Sequence, residues 1–96
     1  MPHLPYLYKD LKDPNFAAGY LSLCLEDSPR IFLIALKNVV ESRGGFTKVA
    51  KKLSVSREHL YRMLSKDGNP RFSSLLELLE VLEIKLSLRH DDKKAA

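Results

Sequence analysis

Residues 47–64, TKVAKKLSVSREHLYRML, carry two helical patterns on either side of a break only a few residues wide. A break that short makes the two helices turn a corner and share a contact surface, which restricts the architectures open to the chain. In the first pattern, 46–53, Val49, Ala50 and Leu53 fall on one face while Lys48, Lys51 and Lys52 turn outward. Ala50 matters by being small, because two helices crossing steeply need a side chain that lets their backbones approach. Ser54 and Val55 then lead to Ser56, an N-cap residue, and Glu58 complements the positive end of the helix that follows. In that helix Leu60, Met63 and Leu64 point inward, while Arg57, Glu58, Tyr61, Arg62 and Ser65 share the opposite face. A short rigid helix with a polar, largely basic face is what the DNA major groove admits. Arginine donates in bidentate fashion to guanine, and serine and the helix N-terminus can hold phosphate.

The segments before this corner are also helical. Asp13 as N-cap and Pro14 at the first helical site start a helix over 14–26, whose apolar stripe is Phe16, Ala17, Tyr20, Leu21 and Cys24. Cys24 reads as core filling. A nucleophile there would require a nearby histidine, and His3, His59 and His90 are scattered along the chain. Ser28 and Pro29 repeat the start signal for a central helix over 29–43, closed by Gly44-Gly45. Its apolar arc of Ile31, Phe32, Leu33, Ala35, Leu36, Val39 and Val40 is wide enough to touch helices on more than one side. Ile34 projects near Lys37, Asn38 and Glu41, either as an ordinary exposed apolar residue or as part of a partner surface.

After the corner, Gly68 can end the second helix and Asn69-Pro70 forces a turn. Ser74 with Glu77 fits a capping box for a last helix through about residue 82, with Leu75, Leu78, Leu79 and Leu82 closing the core. Glu77, Glu80 and Glu83 lie off that stripe, on a face that phosphate would repel or that is simply solvated. Ile84, Leu86 and Leu88 then alternate with Lys85, Ser87 and Arg89, the period of a strand with one face buried. Such a strand needs a partner, either the YLY segment at 6–8 or the same strand of a second subunit. The second is preferred, because prolines sit close to the YLY segment.

Composition bounds what such a chain can be. Ninety-six residues make one small domain, 45% hydrophobic and 29% charged, an ordinary globular balance. No apolar run reaches membrane-spanning length and the first residues lack the features of a secretion signal, so a cytoplasmic location is expected. A single cysteine cannot form an intramolecular disulfide. The net charge of +4 is compatible with nucleic acid without demanding it. No ligand spacing among the histidines and no glycine-rich phosphate loop occurs, so neither metal, cofactor nor catalysis is expected. His59 reads as a boundary residue beside Met63.

The spacing of Val49, Ala50, Leu53, Val55, Leu60 and Met63 is similar to that of the helix-turn-helix class of DNA-binding proteins. One departure is Ser54, which stands where that class commonly has glycine. The chain from Asp13 to Leu88 further resembles the addiction-module antidote family of HigA-like antitoxins. Arg43-Gly44-Gly45, Ser56-Arg57-Glu58, Leu60-Tyr61 and the run DGNPRFSSL carry that resemblance. It implies an all-α, five-helix, lambda-repressor-like helix-turn-helix domain over 13–90 with a short C-terminal β-strand, an N-terminal extension over 1–12 and a disordered tail over 91–96. It also implies two activities, neutralising a RelE-like toxin and repressing the shared operon at its operator DNA, with a homodimer to match paired half-sites. The DNA-binding set is then Lys48, Lys51, Lys52, Ser56, Arg57, Glu58, Tyr61, Arg62 and Ser65. A stand-alone phage-type regulator and a helical protein-interaction module that touches no DNA are the other readings. The exposed basic residues Lys48, Lys51, Lys52, Arg57, Arg62, Lys66 and Arg71 favour DNA binding.

Overall fold

The computed structural model describes residues 9–92. Its five principal helices are α1 (Pro14–Asp27), α2 (Pro29–Ser42), α3 (Phe46–Leu53), α4 (Arg57–Met63) and α5 (Phe72–Val81), and residues 9–11 add a short helical stretch ahead of them. The starts of α1 and α2 follow from their caps. The Asp13 carboxylate accepts the Asn15 N–H at 3.0 Å, and the Ser28 hydroxyl oxygen accepts the Ile31 N–H at 3.1 Å, each ahead of a proline whose missing N–H costs nothing there. Ser28 also closes α1 by donating its own N–H to the Cys24 carbonyl at 3.1 Å. One residue thus ends one helix and begins the next, which folds α1 back along α2.

At the far end of α2, Gly44 and Gly45 take φ values of 102° and 92°, and the Gly45 N–H donates to the Val40 carbonyl at 3.1 Å. A side chain at either position would be strained, so the two glycines are what let the chain reverse into α3. Helix α3 then meets α2, α4 and α5, and the shared core forms where they converge. Leu36, Val39, Val49, Leu60, Leu64 and Leu78 are fully buried there. Each such side chain contributes roughly 1.5–3 kcal/mol relative to exposure. The polar Ser42 is also buried, its hydroxyl satisfied by donating to the Val39 carbonyl at 2.6 Å.

Several expectations need correction. No strand occurs among the described residues, and 84–91 has no regular secondary structure. The Ile84 N–H donates to the Leu79 carbonyl at 2.9 Å, which turns the chain back onto α5, and the alternation beyond it finds no neighbouring strand. The YLY segment proposed as one partner lies outside the described residues, as do residues 1–8 of the N-terminal extension and 93–96 of the tail. Helix α5 begins at Phe72 with Arg71 as its N-cap, so Ser74 sits inside the helix rather than capping it. Helix α4 ends at Met63, and Gly68 instead closes a later turn by donating its N–H to the Ser65 carbonyl at 2.9 Å. Phe16, placed in the apolar stripe of α1, is 44% exposed.

Candidate nucleic-acid interface

The corner between α3 and α4 is held from its backbone outward. Ser54 takes the left-handed conformation, φ 61° and ψ 38°, and the following Val55 N–H donates to the Ala50 carbonyl at 3.1 Å. A serine there costs on the order of 1 kcal/mol relative to glycine, so the turn is kept against a local penalty. Ala50 and Val49 are buried at the crossing, and Leu53 and Val55 pack against the same core. Ser56 starts α4, its hydroxyl oxygen accepting the His59 N–H at 3.0 Å.

On this frame Lys48, Lys51 and Lys52 of α3 are exposed, as are Arg57, Glu58, Tyr61 and Arg62 of α4. None of these charged groups is in an ion pair among the described residues, where the ion pair present is the exposed His90–Asp92 contact at 3.5 Å. Glu58 and Arg62 stand one turn apart without pairing. The arginines are therefore free to donate to a ligand.

The arginines address different flanks of α4. Arg57 lines a shallow depression with Tyr61, Ile34, Lys37, Asn38 and Glu41. Arg62 lines a polar cleft on the other side with His59, Met63, Asn69, Arg71 and Ser74. That cleft adds Arg71 to the cationic surface and puts His59 beside Met63.

Three members of the DNA-binding set have their hydroxyls or rings engaged within the protein. The Ser56 oxygen caps α4 yet keeps its O–H to donate. The Ser65 hydroxyl donates to the Arg62 carbonyl at 2.9 Å, and Ser65 is half-buried, so it can offer a ligand only acceptor capacity. The Tyr61 ring packs on Phe46, with centroids 5.3 Å apart and planes tilted by 53°, and the Lys37 Nζ lies 4.9 Å above its centroid. Tyr61 thus braces α4 against α2 and α3 while remaining 45% exposed. Sequence reasoning did not place Lys37 at this site. Its spacing on the polar side of α2 was visible, but its approach to Tyr61 depends on the angle between α2 and α4.

Elsewhere, Cys24 is buried in the core, where burial pushes its thiol pKa up and the Asp27 carboxylate adds to that shift. No group of three or more His, Cys, Asp or Glu side chains placed to hold a metal occurs among the described residues. No helix among them is long and apolar enough to cross a membrane.

A family model described as "Probable addiction module antidote protein" matches residues 6–90. An uncharacterized protein of Haemophilus influenzae is 30% identical to the chain over 64 residues, covering 67% of this chain and 65% of the relative. The chain therefore spans somewhat less than two thirds of that relative's length. No solved structure matches it.

Proposed function

The chain belongs to the family of probable addiction module antidote proteins, and on that premise we propose that it is the antitoxin of a type II toxin–antitoxin module. In this reading it binds its operator as a homodimeric repressor and neutralises a RelE-like toxin in the cytoplasm. The observation that carries the DNA-binding half is the exposed, unpaired arginine pair Arg57 and Arg62 on a helix held at a fixed corner. Major-groove readout requires rigid presentation of such donors. In this reading the exposed lysines of α3 meet the backbone phosphates beside that groove, contacts that fix register without reading sequence.

The toxin-binding half rests on the family. The test has two arms. Fluorescence anisotropy of the purified chain against its own promoter duplex and a scrambled duplex, at several salt concentrations, should show tighter binding to the promoter and a falling affinity with salt. Coexpression with a RelE-like toxin from the same genome should restore growth and yield a complex of the two proteins. Equal binding to both duplexes removes the operator reading, and failure to rescue growth removes the antitoxin reading.

A further inference from the structure

Helix α5 divides two surfaces of opposite charge. On one side, an open groove of ≈ 410 Å³ runs between the end of α1, the start of α2 and α5, floored by Phe32, Leu75 and Leu79. Among the described residues, the charged groups that line it are Arg30 and Lys66. On the other side, a trough of ≈ 520 Å³ is lined by Glu77, Glu80 and Glu83 together with Lys85. Leu76, Leu79 and Leu86 line both and form their boundary, and of the three Leu76 is the exposed residue of α5. The ridge is apolar and open: Phe72 is 64% exposed and Leu76 40%. None of Arg30, Lys66, Glu77, Glu80 and Glu83 is ion-paired among the described residues.

We propose that this face is the interface with a second copy of the chain, formed by α5 crossing its symmetry mate antiparallel near Leu76. Phe72, Leu76 and Glu80 recur at four-residue spacing on one side of α5, so the helix runs from an apolar end beside Arg30 and Lys66 to an acidic end. A two-fold axis near Leu76 lays the cationic groove of each copy over Glu80 and Glu83 of the other and covers both phenylalanines. An exposed apolar ridge flanked by opposite charges complements itself under that symmetry, with both charge contacts made twice. DNA is a poor occupant, because phosphate is repelled by the three glutamates. The proposal gives the homodimer of the operator-binding reading its surface and rests on that reading.

The test needs no DNA, so its failure is separate from failure of the promoter titration. Sedimentation velocity of the full chain should give a dimer, at twice the 11.0 kDa chain mass, at about 100 µM. Two charge-reversed proteins, Arg30→Glu with Lys66→Glu and Glu80→Lys with Glu83→Lys, should each self-associate at least about tenfold more weakly. All four positions are exposed, and circular dichroism checks that each protein folds. Mixed in equal amounts, the two should form a heterodimer, because each then meets the opposite charge. Leu76→Asp should give a folded monomer. A monomeric wild-type chain, dimers unaffected by these substitutions, or a mixture of the two charge-reversed proteins that stays monomeric would overturn the proposal.

Discussion

The Arg43 guanidinium donates from Nη1 to the Leu82 carbonyl at 2.7 Å, joining the end of α2 to the residue that closes α5. The same group donates from Nε to the Leu11 carbonyl at 3.2 Å, so one side chain ties the segment before α1 and the segment after α5 to the centre of the molecule. Its Nη2 is buried without a hydrogen-bond partner among the described residues, which makes the guanidinium a structural clamp more than a surface charge. Hydrogen bonds to charged groups are worth about 1.5–3 kcal/mol each. Two such bonds, offset in part by the cost of keeping Nη2 buried without a partner, mean that Arg43→Ala should lower stability by about 2–4 kcal/mol in urea unfolding. Arg43→Lys should recover only part of the loss, because an ammonium lacks the planar fork that reaches both carbonyls. Unchanged unfolding of both variants would show that the clamp contributes nothing.

The corner itself offers a gain and a loss. Ser54 holds a left-handed backbone that glycine adopts freely, so Ser54→Gly should raise the unfolding free energy by about 1 kcal/mol. Ala50 is buried at the helix crossing, so Ala50→Leu should overpack it and cost about 1–3 kcal/mol. Thermal melts of the two variants should move in opposite directions from the parent. Movement in the same direction would mean that the turn does not limit the approach of α3 and α4.

Alkaline pH tests the packing of α1 on α2. Burial pushes the Tyr20 hydroxyl pKa up, a shift partly offset by the hydrogen bond donated by the Asn38 amide at 2.9 Å, and burial likewise raises Cys24. Both folded pKa values lie above their unfolded values. Their contribution is thus fully present below the ordinary thiol and phenol ranges, and it is lost as pH rises through the raised folded values. Urea midpoints should hold steady to about pH 8 and fall by about pH 10.5, with a shallower fall in Cys24→Ala. An identical slope in that variant would remove Cys24 from the account.

The parts of the fold legible in the sequence were those fixed within one or two helical turns. Asp13-Pro14, Ser28-Pro29 and Ser56 each marked a helix start because the capping side chain and its N–H partner lie within three residues. Ser74 with Glu77 reads as a capping box although the helix starts at Phe72, since serine in a first helical turn and serine at a cap look alike locally. What decides between them is Arg71, extended at φ −66° and ψ 147°. The alternation of 84–89 was real as a pattern but had no strand beside it, and pattern alone cannot supply a hydrogen-bonding partner. The Arg43 clamp spans 32 and 39 residues of sequence and leaves no periodic trace. At the candidate interface, the lysines of α3 and the arginines of α4 were readable from helical spacing, whereas the engagement of Tyr61 by Phe46 and Lys37 required three helices to be in place.

The same contrast between local and tertiary roles predicts how the candidate interface should respond to mutation. Arg57 and Arg62 are exposed on α4 and unpaired, so Arg57→Ala should cost about 1–3 kcal/mol on the promoter duplex and relax its preference over a scrambled one. Lys51 lies on α3, where only phosphates would be met. Lys51→Ala should weaken binding to both duplexes alike and reduce the slope of log affinity against log salt by about one. Tyr61 separates a contact made by its hydroxyl from a brace made by its ring. Tyr61→Phe keeps the ring against Phe46 and beneath Lys37, so promoter affinity should hold if the tyrosine acts as a brace, while Tyr61→Ala should lower thermal stability as well as affinity. If Tyr61→Phe loses as much affinity for the promoter as Arg57→Ala does, the hydroxyl itself contacts DNA and the brace is secondary. If all four variants bind both duplexes as the parent does, α4 is not the helix that reads DNA.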